Sequence, residues 1–541
     1  MTFLLYDLSD QEIRSAHEGI SLHQAAITSL DTEILSLLGK IDTLRKSKEQ
    51  HLQEVRKYES VLTLARRLPT DLLGHLFKYS VAVYPMAPLI VSQVCSSWRI
   101  AARSTPRIWS SLLIDCGRPH AAERTEHWVK MSGNHIPLKI SLILHDTSLQ
   151  AVLRVLIPHS ARWSSLAVDA VFYSHVRELF DIVEVGQCSF SNLCGMDLTI
   201  REETDQAIDL RSIFTLKNSP NLQVIRLHSE AWPFGRLPSH ITSLTLKVSS
   251  DTVPVTTHLN ILRTLRALPQ LVTFSLSFPD ESFINADLES PGDELLVMSQ
   301  LENLSLTGCN PIFGILEHLT LPSLRSLALR ETGKDSMGNL PHIGSWFYDM
   351  LRRSSPPVST LELHCIDAAE VGFIDCSMLL PSLEELLLHD SDITDDIFLA
   401  LSTPVAREDM IRDGSSKWLC PDFRRIDLRR CSHFSDSILA QFVRSRFLCP
   451  ETANIDEVVV INCSAVREED VLCLSTLTTC RLKHSTEDFC CEFQFSYHVF
   501  LLIKNTADYC GCCVNARYRH RFFLHHAVRL RERGLLGRLE L

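Results

Sequence analysis

The sequence predicts an α/β protein with three parts: a long N-terminal heptad helix, a short module of three helices, and a solenoid of strand-and-helix repeats. Three observations lead to this prediction. Apolar residues recur every seven positions near the start, apolar residues at helical spacing follow around position 70, and an L-x-x-L-x-L pattern recurs through the middle. The three patterns occupy successive stretches of chain, so they predict separate structural units.

The size and composition are those of an ordinary globular protein. The chain has 541 residues, 45% of them hydrophobic and 22% charged, so roughly three or four domains are expected and wholesale disorder is excluded. The net charge of −12 argues against nucleic acid as a partner. The start lacks a basic signal-peptide region, and no apolar stretch reaches membrane-spanning length, which predicts a cytoplasmic or nuclear protein with no membrane partner. The 18 cysteines are then expected to be reduced thiols.

Residues 9–65 are predicted to form a coiled-coil helix. Isoleucine recurs at the a positions of the heptad and leucine at three of the d positions, as follows: Ile13, Ile20, Ile27, Ile34, Ile41, Leu30, Leu37 and Leu44. This combination favours a parallel two-stranded coiled coil. Ser9 and Glu12 have the spacing of a capping box at the helix start. A homodimer through this helix and a monomeric helix, free or folded back on the chain, are both open at this point.

A module of three short helices is predicted at residues 66–113. Pro69 suits the first turn of a helix, because its missing N–H costs nothing there. Apolar residues follow at helical spacing: Leu72, Leu73, Leu76, Phe77, Val91, Val94, Cys95, Trp98 and Trp109. About 45 residues cannot bury this much apolar surface alone, so the module implies a partner.

The order and spacing of these residues resemble an F-box, and most closely that of fungal F-box proteins with an N-terminal coiled-coil helix. The resemblance implies that the module docks on a Skp-type adaptor and through it joins a cullin–RING ubiquitin ligase. The residues expected to bind the adaptor, or to pack behind the binding surface, are Leu68, Pro69, Leu72, Leu76, Val94, Cys95, Trp98 and Trp109. The alternative is that they form only a local helical core.

Residues 114–165 are expected to be a transitional segment that leads into the repeats. A helix is predicted from Ala121 to Met131, because a glycine and a proline follow it. A strand is predicted from Leu138 to Leu144, because apolar residues alternate there. This strand is expected to be the first of the stack that follows.

Residues 166–485 are predicted to form a leucine-rich-repeat solenoid. The L-x-x-L-x-L pattern, with other apolar residues allowed, begins at Leu193, Leu222, Ile241, Leu271, Leu301, Leu324, Val358, Leu383, Phe423, Ile455 and Leu477. So loose a pattern also arises by chance, but six of the eleven matches have a proline two residues earlier, where about half of one is expected. In a solenoid each unit buries its leucines against its neighbours. A divergent all-β or α/β domain is the alternative.

The later repeats resemble the cysteine-containing type of leucine-rich repeat. Cys431 and Cys463 follow two of the predicted strands, and Ser391 stands in the same place after a third. The resemblance implies that a short strand turns at a small buried residue and that a helix capped by Ser/Thr-Asp then begins.

In such a solenoid the residues between the buried leucines lie on the concave face of the strands. Those considered as substrate-binding residues are Arg330, Glu362, His364, His389, Arg425, Asp427 and Arg429. They predict a mixed-charge surface for a protein ligand, with arginine favoured as a contact that carries binding energy. The alternative for each residue is a solvated polar position with no dominant contact.

Residues 486–541 are predicted to be a Cys/Arg-rich tail. Its cysteines and histidines could bind zinc, but Cys510 and Cys512 are too tightly spaced for the usual zinc knuckle, which favours reduced cysteines without a metal. Residues 514–541 carry seven arginines and two glutamates. They predict either a basic interaction tail or a helix that caps the solenoid.

Motifs of nucleotide-binding proteins, zinc proteases and serine hydrolases are absent from the sequence, so no catalytic residue, cofactor or metal is expected. With the F-box resemblance, this predicts a non-catalytic substrate-recognition subunit of a Skp–cullin–F-box ubiquitin ligase, with the adaptor, the cullin and an unknown protein substrate as partners. The alternative is a non-degradative protein-interaction scaffold.

Overall fold

The structure is a computed structural model of the chain. It describes residues 10–62, 68–145, 149–186, 188–202, 209–229, 237–248, 258–278, 295–332, 343–366, 368, 371–391, 393–404, 418–463, 466 and 474–483. The chain divides into two compact units, Met1–Ile108 and Trp109–Leu541. Ser9 of the predicted capping box and the predicted tail at 486–541 lie outside the described residues.

The first unit begins with a single long helix, α1 (Asp10–Leu62), of 53 residues. No proline interrupts it, so the backbone hydrogen-bond ladder continues along its whole length. From Asp10 to Glu59 every residue except Gly19 is exposed. The isoleucines and leucines of the predicted heptad seam are therefore uncovered in the single chain.

Three short helices complete the first unit: α2 (Thr70–Val83), α3 (Ala87–Val94) and α4 (Ser96–Arg103). Pro69 occupies the N-cap position of α2, one residue before the first turn in which the sequence analysis placed it. The buried apolar residues of these helices and the turn after them are Leu73, Phe77, Ala87, Val91, Ala101, Ala102 and Ile108. Gly74 lies close to Thr105, and a Cβ at residue 74 would be 2.9 Å from the Thr105 hydroxyl, so the glycine allows this contact.

The second unit is built on a parallel sheet in which fourteen described strands are stacked in the order of the sequence. They are β1 (Ser111–Asp115), β2 (Leu138–Leu144), β3 (Trp163–Ala170), β4 (Gly195–Ile200), β5 (Val224–Ser229), β6 (Ser243–Val248), β7 (Thr273–Ser277), β9 (Asn303–Gly308), β11 (Ser326–Glu331), β12 (Thr360–His364), β13 (Glu385–His389), β14 (Arg425–Arg429), β15 (Glu457–Ile461) and β16 (Thr479–Lys483). The short strands β8 (Leu296–Val297) and β10 (Leu319–Thr320) pair separately.

Helices connect many of these strands. Those described are α5 (Ala121–Met131), α6 (Leu149–Leu156), α7 (Tyr173–Val185), α8 (Leu210–Ile213), α9 (His258–Arg266), α10 (Ile343–Ser354), α11 (Phe373–Ser377), α12 (Asp395–Ser402) and α13 (Asp436–Leu448). Alternate strand residues such as Leu386 and Leu388 are fully buried, and the residues between them are partly exposed. The core therefore lies along one face of the sheet, while most residues on the other face of the described strands are partly exposed. In the part of the chain described, no helix is both long and apolar enough to cross a membrane.

Every predicted repeat start lies two residues before a strand of the sheet. Leu222, for example, precedes β5, and Leu383 precedes β13. The prediction of a strand at all eleven positions is confirmed, and the sequential parallel order is that of a solenoid-like stack. The predicted helix Ala121–Met131 and strand Leu138–Leu144 are also confirmed at both ends.

The sheet begins earlier than the sequence analysis expected. β1 includes residue 113, where the helical module was predicted to end. β2 pairs with β1 and is therefore the second strand of the stack, although it was expected to be the first. β3 starts at Trp163, ahead of the predicted solenoid start at 166. The two missed units both read Trp-Ser-Ser-Leu, at Trp109 and at Trp163, with a buried tryptophan in place of the first leucine. A pattern that admits leucine, isoleucine, valine and phenylalanine at this position, but not tryptophan, overlooks them.

A recurring turn ends strands β12 to β15. The residue after each strand has a left-handed backbone: Cys365 (φ 55°), Asp390 (φ 49°), Arg430 (φ 53°) and Asn462 (φ 55°). The next residue in three of the four is buried and donates to the carbonyl two positions back: Ser391 at 2.9 Å, Cys431 at 3.5 Å and Cys463 at 3.6 Å. The prediction of a small buried residue at this turn, with serine in place of cysteine once, is confirmed.

The helices that follow these turns begin at the Ser/Thr-Asp pairs, as the sequence analysis predicted. Thr394 and Ser435 occupy the N-cap positions of α12 and α13, but neither makes a side-chain capping hydrogen bond, so that part of the prediction is wrong. Asp395 Oδ1 instead accepts a hydrogen bond of 2.6 Å from the backbone N–H of Ser435 in the following repeat. The aspartate thus links two repeats, which the spacing within one repeat could not indicate.

Candidate functional site

Two surfaces stand out in the structure, and the first is apolar. Helices α2, α3 and α4 carry large exposed hydrophobic residues, here named the apolar face: Leu72, Leu76, Tyr79, Val83, Ile90, Val94 and Ile100. The four residues on α2 are spaced by four, three and four positions, so they form one stripe along the helix. Leu76 is 50% exposed and Val94 is 57% exposed.

The apolar face is distinct from the core of the same helices. Leu73 and Phe77 of α2 point inward, and Phe77 packs against Trp98 of α4 with ring centroids 5.2 Å apart. The helices therefore have apolar residues on two sides, and only one side is covered in the single chain. Large clusters of exposed apolar side chains usually mark an interaction site.

The predicted adaptor-binding residues occupy three kinds of position. Those exposed are Pro69, Leu72, Leu76 and Val94, while Leu68, Cys95 and Trp98 are half-buried and Trp109 is buried. Trp109 packs edge-on against Trp128 of α5, 5.2 Å between centroids, and both belong to the second unit. Trp109 thus has a packing position in the first repeat of the sheet and is not exposed for contact.

The sequence analysis did not select Tyr79, Val83, Ile90 and Ile100 of the apolar face. The signal was available, because Tyr79 and Val83 continue the spacing of Leu72 and Leu76. It was overlooked because the resemblance rests on other residues of the same module, such as Leu76, Val94 and Trp98.

The second surface is the charged face, formed by the seven predicted substrate-binding residues on strands β11 to β14. The sheet brings them together: Arg330, His364, His389 and Arg429 are aligned side by side across four strands, and Glu362 and Asp427 share the next row. Arg330 Nη2 is 2.7 Å from Glu362 Oε1 on the neighbouring strand. Opposite charges therefore lie on adjacent strands.

Asp427 is the centre of the charged face and its side chain has no exposed surface. Arg429 Nε lies 2.9 Å from one carboxylate oxygen and Arg425 Nη2 lies 3.2 Å from the other, while His389 Nε2 is 3.8 Å away. Burial raises the pKa of Asp427, but His389 and Arg429 favour the charged form more strongly and hold the pKa at about 2. Asp427 therefore lies beneath Arg425, Arg429 and His389, which cover it. Its carboxylate orients the side chains of these residues.

Arg425 connects three strands of the same face. Its guanidinium is 3.5 Å from Glu385 on β13 and 2.9 Å from Glu457 on β15, in addition to its contact with Asp427. Because its arginines are engaged by carboxylates of the chain itself, the charged face is a network of opposite charges and not a positive patch.

A third group lies at the edge of the charged face. His364, Cys365 and Asp390 each offer one potential metal-binding atom, and these atoms lie within 4.8 Å of one another. His364 belongs to the charged face, whereas Cys365 and Asp390 are two of the left-handed residues that end strands β12 and β13. The sequence analysis did not select this group, since Cys365 and Asp390 are distant in sequence.

Comparisons with known proteins add little to this geometry. No protein-family model and no curated protein matches the chain. Among solved structures, the chain is similar to one described as "Crystal structure of Rad7 and Elc1 complex in yeast", at 14% identity and a TM-score of 0.27, over 78% of this chain and 95% of that chain. A TM-score this low carries no argument about fold or function.

Proposed function

We propose that this protein is a substrate-recognition subunit of a Skp–cullin–F-box ubiquitin ligase. The observation that carries the proposal is the apolar face, which lies on helices whose sequence resembles an F-box. Leu72, Leu76 and Val94 belong to the F-box-like motif and are also exposed. If the motif served only to form a local helical core, these residues would not need to be exposed. The partner of this face is a Skp-type adaptor.

The physical basis of adaptor binding is the burial of the apolar face. Fully covering a leucine or valine side chain contributes roughly 1.5–3 kcal/mol, and a few well-packed apolar residues provide most of the binding free energy of an interface. Trp98 and Phe77 hold α2 and α4 in place behind the surface. Half-buried Cys95, whose Sγ lies 3.1 Å from Ser97 Oγ, marks the bend between α3 and α4 and has a packing role.

The charged face is the proposed site for a protein substrate. The protein would contribute no catalytic group; it would hold the substrate near a ubiquitin-charged enzyme of the ligase, so the rate increase comes from proximity. The paired charges of this face favour selectivity, because a ligand with the wrong charge pattern meets like charges or leaves buried ones unpaired. Arg330 and Arg429 are the proposed principal contacts.

Co-purification with a Skp-type adaptor tests the proposal. The full chain is co-expressed with the adaptor, and the double variant Leu76→Ser/Val94→Ser is compared with the native sequence. The matched control is Val185→Ser/Leu216→Ser, which removes two apolar residues of the second unit that are more exposed than Leu76 and Val94. We expect the native chain and the control to retain the adaptor and the Leu76/Val94 variant to lose it.

The same experiment separates the proposal from the alternative of a non-degradative scaffold. A folded native chain that does not bind the adaptor would contradict the ligase function. Equal loss of binding in the control variant would show that the apolar face is not the specific contact.

Helix α1 supports a second proposal, which is that the protein forms a homodimer. In this dimer the heptad seam of α1 packs against the same seam in a second copy of this chain. Isoleucine is exposed at five successive a positions and leucine at three d positions, and this pattern is complementary to itself in a parallel pair. A dimer would present two charged faces to one substrate assembly and raise its avidity. A monomeric helix is the alternative outcome.

Sedimentation of the full chain at roughly 50 μM distinguishes the two outcomes. We expect a dimer for the native chain and a monomer for Ile27→Asp/Ile34→Asp, which places charges in the seam. The control Leu22→Asp/Leu35→Asp changes exposed leucines outside the seam and should remain dimeric. A monomeric native chain would contradict the dimer.

A further inference from the structure

We propose that His364, Cys365 and Asp390 form a zinc-binding site at the ends of strands β12 and β13. The three side chains offer an imidazole nitrogen, a thiolate sulfur and a carboxylate oxygen, all within 4.8 Å of one another. The site is independent of adaptor binding, because it lies in the second unit and shares no residue with the apolar face.

The backbone places these residues before any metal arrives. β12 and β13 are paired in parallel with His364 beside His389, so the residues that follow, Cys365 and Asp390, are neighbours across the two strands. The Cys365 N–H donates to the His389 carbonyl at 2.9 Å, and the Asp390 N–H donates to the Arg429 carbonyl at 2.8 Å. Ligands held on hydrogen-bonded strand ends lose little conformational entropy when they bind a metal.

The left-handed conformation contributes to this placement. Cys365 and Asp390 have φ angles of 55° and 49°, which non-glycine residues rarely adopt. A fully extended strand would direct side chains 364 and 365 to opposite faces. The turn at Cys365 breaks that alternation, and the donor atoms of both residues come within reach of the same Asp390 carboxylate.

The separation of the two best-defined donors fits a tetrahedral metal. His364 Nε2 is 3.4 Å from Asp390 Oδ2. Two ligands bound at about 2.0–2.2 Å with a tetrahedral angle between them are about 3.3–3.5 Å apart, which is the geometry of protein zinc sites. A metal ion therefore fits between these atoms with little movement of the strands, and Cys365 completes three ligands by a small side-chain adjustment.

The donor set selects the metal. One nitrogen, one sulfur and one carboxylate oxygen form a borderline-soft set that suits Zn²⁺, whereas Ca²⁺ and Mg²⁺ prefer oxygen ligands alone. Cys365 is an exposed residue, at the same edge of the sheet as the other two ligands. The thiolate and the carboxylate together balance the charge of one Zn²⁺ ion.

Arg430 forms the outer layer of the site. Its guanidinium contacts both oxygens of Asp390 from the end of β14. A carboxylate has about four lone-pair positions, so it can accept from an arginine and coordinate a metal at once. A hydrogen-bonded outer partner that fixes the orientation of a ligating group is usual in metal sites.

Three protein ligands leave a fourth position of a tetrahedral zinc open for water or for a side chain of a bound protein. The site adjoins the charged face through His364, whose ring lies edge-on to His389 with centroids 6.0 Å apart. Zinc would therefore tie two repeats together at one edge of the charged face and could contribute a contact to a ligand there.

Zinc and cobalt binding to the full chain tests the site. The reduced protein is titrated with Zn²⁺ and dialysed, and bound metal is counted; a parallel titration with Co²⁺ records the thiolate-to-cobalt charge-transfer band. Because the tail contains further cysteines and histidines, the measured quantity is the difference between the native chain and the variants His364→Gln, Cys365→Ser and Asp390→Asn. The matched control is Cys194→Ser, which removes another exposed cysteine of the second unit.

We expect the native chain and Cys194→Ser to bind one equivalent more than each site variant. Cys365→Ser should also lose the charge-transfer band that His364→Gln and Asp390→Asn weaken. Thermal melting of the metal-free proteins tests whether the variants are folded. We expect them to be folded, because the three substitutions are conservative and lie at partly exposed positions. Equal zinc content and equal cobalt spectra for the native chain and Cys365→Ser would overturn the site, whatever the adaptor experiment shows.

Discussion

The two units of this protein use apolar residues in opposite ways. In the sheet, alternate leucines such as Leu386 are fully buried and the remaining face carries paired charges. In helices α2 to α4, leucines are divided between a small core at Leu73 and the exposed stripe that includes Leu76. Each strand of a stacked sheet is covered by its neighbours, whereas three short helices are too few to cover all their apolar side chains.

This difference explains why the two proposed interactions have different physical bases. The apolar face would bind its partner through the removal of hydrophobic surface from water, which is strong but weakly directional. The charged face would bind through matched charges, which give selectivity more than affinity. The proposed receptor, which would join one constant partner to a specific substrate, would use both kinds of surface.

The largest expected effect concerns the buried face of the sheet. Leu386→Ala should lower the free energy of unfolding by about 2–5 kcal/mol, because it removes buried methyl groups and leaves a cavity between repeats. Urea unfolding measures this loss. The control Val185→Ala, at a residue 85% exposed, should change stability by less than about 0.5 kcal/mol. Similar losses in both variants would show that burial does not set the cost of removing an apolar side chain from the second unit.

A smaller effect is expected from the buried charge at Asp427. Its folded pKa of about 2 lies below the ordinary value of 3.8, so the charged carboxylate stabilises the fold above about pH 4. That stabilisation, about 2 kcal/mol, is lost as the pH falls through 2. Asp427→Asn should therefore be less stable at pH 6 and show a flatter decline in stability between pH 5 and pH 2.

The control for Asp427 is Asp422→Asn, which removes an exposed aspartate just before β14. It should keep the acid dependence of the native chain. An unchanged pH dependence in Asp427→Asn, measured by urea unfolding at each pH, would show that the buried carboxylate does not act through its charge.

The exposed ion pair on the charged face should contribute less. Arg330 Nη2 and Glu362 Oε1 are 2.7 Å apart, but the Arg330 side chain is 46% exposed. A double-mutant cycle with Arg330→Gln and Glu362→Gln should give a coupling of about 0.2–1 kcal/mol, and added salt should weaken it. A larger coupling that salt leaves unchanged would mean that this pair behaves as a buried one.

The smallest effect on stability is expected on the apolar face. Leu76→Ala should leave the unfolding free energy of the first unit within about 0.5 kcal/mol of the native value, whereas Leu73→Ala, at a buried position one turn away, should cost about 2–5 kcal/mol. Circular dichroism during urea unfolding compares the two. A large loss for Leu76→Ala would assign it to the core and weaken the adaptor proposal.

Much of the fold could be predicted because it follows from short-range patterns. The eleven repeat starts, the helix Ala121–Met131 and the strand Leu138–Leu144 all rest on residues within a few positions of one another. The first repeats were missed for a local reason as well, since tryptophan replaces leucine in both Trp-Ser-Ser-Leu segments. A template that admits tryptophan would have found them.

The candidate sites were less predictable, because they depend on which residues the sheet places side by side. The sequence analysis selected Trp109 for the adaptor and Asp427 for the substrate, and the structure buries both. The residue types of Trp109 and Asp427 suggested contact residues. Whether these two side chains are exposed, however, depends on neighbouring residues such as Trp128 and Arg429.

The sequence by itself therefore determined the long helix, the apolar stripe of α2 and the succession of strands, since periodicity acts between residues a few positions apart. The tertiary structure alone decided how those elements meet. Parallel pairing brings Cys365 beside Asp390, and it engages Arg330 with Glu362 and Arg425 with Glu385 and Glu457 on adjacent strands. Strand register sets these distances, and register belongs to the stack of repeats and not to any one of them.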